Sequence, residues 1–359
     1  MAIHRIFAHL SLVVACGQAA GYAKQDPSDI ADTQERNGAP KPVVEGAAEL
    51  LYGEIRQELG SWAEVLNEAP DKSVVIDAEA VRRIEETGLP WRIKDKRSGA
   101  VLVLVPPGDF LRGAASQDEY LIFEFEFPWR RRVRVAKPFY LGQTELTCRQ
   151  WANVMGTTPK YVKEANLEPE EAPFVGASME EFAPFLLLTG LSLPRDSDWE
   201  YACRASSGAE QVESLYDFAR VQGNVDVWKE DLTPVIPVAT REANAWGFFD
   251  MLGGAWESTS TVFDPTWEGP PEGELYDSID DDAVGNSEYT QKYGLRFTQR
   301  GGSLGAPEVC ATPWHVSETV PTKAHITFGY RVAWYPEEYR PDLGRLLMAL
   351  DDGVDQDPK

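Results

Sequence analysis

The sequence predicts a loop-rich fold of mixed helices and strands, pinned by glycine turns and buried aromatic rings. Three observations point there. The stretch Leu193–Glu257 holds LPRDSDWEYACRA and then NAWGFFDMLGGAWE, and RGGS follows at Arg300–Ser303. These segments set several Trp and closely spaced Gly beside charged residues, which suits turns and buried rings better than a helix or strand array. No internal repeat runs through the chain, so a solenoid or propeller is not expected.

The chain has 359 residues, enough for one large domain or two small ones, and its 43% hydrophobic content supplies a real core. Its formal net charge is −24. That charge argues against a nucleic-acid partner, because binding phosphate needs clustered Lys and Arg.

Residues 1–21, MAIHRIFAHLSLVVACGQAAG, resemble an export signal: Arg5 precedes an apolar run from Ile6 to Ala15. The run is too short to span a bilayer as a helix. Val13–Gly17 reads as a lipobox in which Cys16 would carry a lipid; cleavage near Ala19–Gly21 is the alternative. Either route takes the chain to the periplasm or cell surface, with a lipid anchor the one expected contact with a membrane. With Cys16 as anchor, Cys148, Cys203 and Cys310 remain, an odd set whose pairing spacing does not fix. Cys203 is expected to be a buried free thiol. Of the four histidines, His4 and His9 lie in the signal, so His315 and His325 cannot make a three-histidine metal site.

Residues 22–45 are polar and read as a solvated tether. Residues 46–89 read as a helical appendage. In it Leu50, Leu51, Ile55, Leu59, Trp62 and Leu66 give helical spacing over Ala47–Leu66, and a second helix fits Asp77–Thr87. A main domain is expected over 90–336, opening at Pro90–Trp91. Strand patterns occupy Ala100–Pro106, closed by a Pro-Pro-Gly turn, and Arg132–Gly142. Thr147 can cap a helix through Met155. Ser178 with Glu181, and Ser197 with Glu200, read as capping boxes for two more, the first bent by Pro184. Residues 264–290 read as an acidic surface loop in which Asp280, Asp281 and Asp282 are solvated. A short strand to Ala333 closes the domain, and 337–359 read as a helix at Leu343–Leu350 and an acidic tail.

Taken in order, VLVLVPPGDFLRG, KPFYLGQTELTCRQWANVM, PFVGASMEEFAPFLLLTGLSLPRDSDWEYACRA, NAWGFFDMLGGAWE, RGGS and FGYRVAW resemble the formylglycine-generating enzyme (sulfatase-modifying factor) family. The resemblance covers about two thirds of the chain, Trp91–Trp334. It implies an α+β fold, the family's variant of the C-type-lectin-like fold, with little regular secondary structure.

Enzymes of that family oxidise a sulfatase cysteine to formylglycine with O₂ and copper held by two thiolates, ligands that suit Cu(I). The positions matching the thiolate pair are Ala306 and Ala311; Cys310 misses the second by one residue. Copper is therefore not expected, and Ser303 and Cys310 are the residues left to carry any catalysis. The resemblance also implies structural calcium, a hard cation that takes carboxylates and carbonyls. One set is Asp250, the Gly253 and Ala255 carbonyls, and Glu257; the bland alternative is that Asp250 and Glu257 cap the glycine turn. A second set is Asn224, Val225 and Asp231, in a shortened loop with the Thr233 carbonyl near. Trp199, Trp256 and Arg331 match family positions and read as core or buried-pair residues. Gly254, Ser258, Arg195 and Leu304 depart from the family pattern.

Three functions of different class follow. One is a non-catalytic binding or scaffold protein. Another is an active oxidase working on exported sulfatases. The last is a lectin-like binder of protein or glycan partners, with Trp228, Trp267 and Trp314 as sugar-stacking candidates. No phosphate-cradling glycine loop with a following Lys, no G-x-S-x-G elbow and no H-E-x-x-H is expected.

Overall fold

The apolar run Val101–Val105 is buried at four of its five positions, as a central strand must be, and the main sheet forms around it. The structure, a computed structural model, describes residues 45–114, 131–159, 161–162, 168–205, 215–221, 236–266, 275–284 and 288–342. From Ala48 onward the chain forms one compact unit. No described helix is long and apolar enough to cross a membrane.

In chain order the elements used below are α1 (Glu45–Trp62), β1 (Ala63–Asn67), α2 (Ala78–Thr87), β2 (Arg92–Asp95), β3 (Val101–Val105), β4 (Gly108–Arg112), β5 (Arg131–Val135), β6 (Phe139–Gly142), α3 (Cys148–Met155), α4 (Met179–Thr189), α5 (Asp196–Arg204), β7 (Trp256–Val262), β8 (Tyr276–Asp277), β9 (Phe297–Arg300), β10 (Ser317–Thr319), β11 (Phe328–Gly329) and β12 (Ala333–Trp334). Three sheets result, ordered β1-β2-β3-β6-β12, β10-β9-β7-β11 and β4-β5-β8.

The segment expected to be a helical appendage also carries a strand. Helix α1 stops at Trp62, just past Gly60 and Ser61, and Leu66 lies in β1, paired antiparallel with β2 at the edge of the main sheet. Gly is a weak helix former, about 1 kcal/mol worse than Ala, and Ser also trails it. Ile55, Leu59, Val81 and Ile84 join the same core as Leu102 and Leu141, whereas Leu50 faces solvent. Helix α2 begins as expected, with the Asp77 carboxylate accepting the Glu79 N–H.

The expected strand Arg132–Gly142 is two strands in two sheets, β5 and β6, divided at Ala136-Lys137-Pro138. Pro138 has no N–H to give a ladder, so a break there costs nothing. Thr147 and Gln150 close a capping box on α3, and Ser178 and Glu181 close one on α4. Pro184 lies inside α4, which presents Phe182 and Phe185 to Trp151 and Tyr330.

Helix α5 is buried along its whole length, and the capping box read at Ser197 and Glu200 does not form. The N-cap is Arg195, which offers no side-chain bond. Two of the helix's first N–H groups are met from elsewhere: Asp196 N–H donates to Thr261 Oγ1 (2.9 Å) and Ser197 N–H to Asp281 (2.7 Å). Glu200 is drawn off by Arg204 and the Gly113 N–H. Of the acidic triplet only Asp280 is exposed as expected: Asp281 is 0% exposed, and Asp282 binds Arg195. A helix end sealed in the interior needs an acceptor brought to it, and Asp281 is that acceptor. The helix expected at Leu343–Leu350 and the segment before residue 45 lie outside the described residues.

Leu59→Ala should destabilise the full chain by about 2–5 kcal/mol, the usual cost of truncating a buried leucine, with Leu50→Ala within about 0.5 kcal/mol of wild type. Urea unfolding of the two variants checks this; equal effects would mean that α1 is not part of the core.

Candidate functional site

After β9 the chain turns through Gly301 and Gly302, both left-handed at φ +88° and +79°. A Cβ on Gly301 would stand 2.8 Å from the Met251 carbonyl, so only glycine lets the turn close on its neighbour. The turn delivers Ser303, 2% exposed, and then Ala306, Cys310 and Ala311, all buried. Residues Gly301–Gly305 also spell G-x-S-x-G, a pattern passed over in the sequence. Here it leads into a short 3₁₀ turn, Glu308–Cys310, rather than a helix, and the serine is enclosed, so it is no exposed nucleophile elbow.

Cys310 is a free thiol, as are Cys148 and Cys203. Burial alone pushes the Cys310 thiol up to about 11. Burial also raises Cys148 to about 11, against a lowering bond from Tyr161, and it raises Cys203 further. Reactive thiols are depressed by a nearby cation or helix N-terminus; nothing of that kind lowers Cys310. No cluster of three or more His, Cys, Asp or Glu able to hold a metal occurs among the described residues.

The carboxylates assigned to calcium are brought close together but are already engaged. Asp250 sits in the left-handed region, φ 54°, and accepts the Ala239 N–H at 2.5 Å. Its other oxygen is 2.9 Å from Arg220. Glu257 is gripped by Arg331 through two bonds of 2.7 and 2.8 Å and accepts the Trp199 indole N–H at 2.6 Å. A calcium site needs carboxylate lone pairs open to the ion. Those of Glu257 are filled by guanidinium and indole N–H groups, and the Asp250 oxygen that accepts no hydrogen bond is faced by the Arg220 cation, so the residues present do not fit the ion. Nor do Asp250 and Glu257 cap the glycine turn. Its N–H groups donate to the Gly301 carbonyl, the Arg220 carbonyl and, from Ala255, to Glu145 at 2.7 Å. Asn224, Val225, Asp231 and Thr233 lie outside the described residues.

Glu145 and Arg220 escaped the sequence reading, because nothing in their spacing ties residue 145 to 220 or 250. Glu145 is 1% exposed. Burial pushes its carboxyl up to about 8; Arg220 pulls it down, while Asp250 and Glu257 push it further up.

A second polar cluster surrounds α5. Asp196 takes both Arg112 and Arg300. Burial opposes its charge, yet those two guanidiniums hold it at about 2. Arg300 also reaches Glu200 at 3.1 Å, and Asp281 accepts from Arg112 and the Tyr276 hydroxyl. Trp314 lines the cleft above this cluster but is only 8% exposed, so its ring offers no open face for a sugar. Trp228 and Trp267 lie outside the described residues.

A family model described as "Sulfatase-modifying factor enzyme 1-like domain" matches residues 92–336. The chain belongs to this family. Elements α1, β1 and α2 precede the matched residues, so an edge strand and two helices lie outside the match to the sulfatase-modifying factor domain. The solved structure of Treponema denticola variable protein 1 aligns with TM-score 0.51 at 14% identity, over 66% of this chain and 95% of that one. PvdO from Pseudomonas aeruginosa gives 0.49 at 20% identity, over 68% and 98%. CarF gives 0.42 at 13% identity, over 67% and 100%. The first likeness and the family match fix the fold as the C-type-lectin-like α+β fold expected above. No match is found among curated protein sequences.

Cys148, Cys203 and Cys310 should resist a thiol reagent at neutral pH and react once the chain is denatured. Mass spectrometry of peptides labelled before and after denaturation checks it, and fast native labelling of Cys310 would contradict its burial. Glu145 gives a pH signature. Its native value near 8 lies above the ordinary 4.5, so the folded state keeps a proton that the unfolded chain releases. Its contribution is full at acid pH and is lost as pH rises from about 4.5 to about 8. The stability of wild type relative to Glu145→Gln should therefore fall between about pH 5 and pH 8; urea midpoints across that range measure it, and a rising difference would refute it.

Proposed function

We propose that this protein is a non-catalytic binding or scaffold member of the sulfatase-modifying factor family, exported from the cytoplasm and held at the membrane by a lipid on Cys16. One observation carries the non-catalytic reading: alanines stand at both thiolate positions, Ala306 and Ala311, and the neighbouring Cys310 thiol is buried and pushed up to about 11. Copper oxidation of a peptide cysteine needs a pair of soft thiolates. A lone protonated thiol neither holds Cu(I) between two sulfurs nor serves as a nucleophile. The export reading is supported by Arg5, the apolar run to Ala15, and the Val13–Gly17 pattern.

Incubating the copper-loaded protein with a cysteine-bearing sulfatase peptide and O₂ tests the catalytic half. The peptide mass should stay unchanged. Conversion to the aldehyde, lost in Cys310→Ala, would establish an oxidase instead. Cell fractionation of wild type and Cys16→Ser tests the anchor: the variant should leave the membrane fraction.

A further inference from the structure

The group that completes the calcium-like oxygen cage is not an ion but a side chain. The Arg220 guanidinium lies 2.9 Å from Asp250 and 3.3 Å from Glu145, and its other nitrogen donates to the carbonyls of Ile236 (2.9 Å) and Pro237 (2.7 Å). Two carboxylates and two backbone carbonyls are the donors that a hard divalent cation collects. Arg220 answers Glu145 and the two carbonyls with directional N–H bonds, and it answers Asp250 by charge, since the facing Asp250 oxygen accepts no hydrogen bond. It is 1% exposed, and a buried guanidinium is tolerated only where carboxylates and carbonyls meet it.

The backbone places this head group with little slack. Arg220 bridges Gly253, and the Gly254 N–H donates to the Arg220 carbonyl at 2.9 Å. A Cβ on Gly253 would stand 2.2–2.7 Å from the Arg220 backbone. The glycine turn whose carbonyls were assigned to calcium is thus the turn that seats Arg220. Charge is met on the same account: Glu145 and Asp250 face Arg220, and Glu257 faces Arg331.

We propose that Arg220 is a built-in counter-ion occupying the place of a divalent cation, so that the Asp250–Glu257 core is stable without metal and becomes a calcium site when Arg220 is removed. The inference does not depend on whether the domain is catalytic. The oxygen cage without its guanidinium would hold buried carboxylates in excess over Arg331, and a divalent ion supplies the charge that is missing.

Thermal unfolding of the full chain in EDTA and in calcium, with calcium binding followed by isothermal titration calorimetry, tests this. Wild type should melt at the same temperature in both. Arg220→Ser should melt several degrees lower in EDTA, recover in calcium in a saturable way, and lose that recovery when Asp250→Asn is added. Arg220→Lys, which keeps the charge, should need calcium less than the serine variant does. Wild-type melting that falls in EDTA and is restored by calcium through Asp250, judged by its loss in Asp250→Asn, overturns the proposal. Wild-type calcium binding that survives Asp250→Asn and is lost in Asp231→Asn leaves Asp250 metal-free, as proposed. Arg220→Ser as stable as wild type in EDTA refutes the counter-ion role, and a variant that calcium never rescues refutes the latent site.

Discussion

The Arg331–Glu257 pair is the interaction on which the rest of the domain leans. Arg331 is 0% exposed, holds both oxygens of Glu257, and donates to the carbonyls of Gly142 and Phe249. Glu257 in turn accepts the Trp199 indole. One ion pair therefore fixes the end of β6, the loop before the glycine turn, the start of β7 and the middle of α5. Removing one partner of such a buried pair costs roughly 3–5 kcal/mol, because the other charge is left in a medium that cannot solvate it. Side-chain pairs of this kind fix elements that share no strand ladder.

The same logic governs α5. It lies wholly inside the domain, so water cannot satisfy its N-terminal groups, and a local cap would leave its charged first turn unmatched. Thr261 and Asp281 supply the acceptors, from residues 65 and 84 positions away in sequence. The acidic segment thereby sends Ser278 and Asp281 into the interior. Burial raises the Asp281 carboxyl while Arg112 lowers it, and the Tyr276 hydroxyl and the Ser197 N–H add bonds to the charged form. An insertion that looks like decoration in the sequence completes the helix at the centre of the fold.

What could be read from the sequence divides by the distance over which the deciding bond acts. The Thr147 and Ser178 caps bond across three residues, and both form where the sequence places them. The ordered series of motifs identified the family for a similar reason, since each segment carries its own turn and aromatic signature. Ser197 and Glu200 have the same letters as a capping box but fail to close it, because Asp281 and Arg204 compete from outside the window. Glu145 with Arg220 spans 75 residues, and no local pattern marks either as a partner. The strand at 132–142 was misjoined because its apolar run hides the one residue, Pro138, that cannot bond on.

Two features of this chain have, on the reading proposed above, one physical consequence. At 306 and 311, alanine methyls stand where thiolates would need a soft metal, and they pack into the turn that Gly301 and Gly302 close. At 220, a guanidinium stands among oxygens that would otherwise call for a hard one. Both features replace a demand for an ion from outside with a group that the chain provides. A lone buried cysteine stays a neutral thiol, as Cys310 does, whereas a carboxylate cage left open would bury unpaired charge at a cost of several kcal/mol. A metal-free scaffold, as proposed, has the first place filled by apolar packing and the second by a positive charge. On the reading proposed here, the sulfatase-modifying factor fold persists because its interior has been made complete from its own side chains.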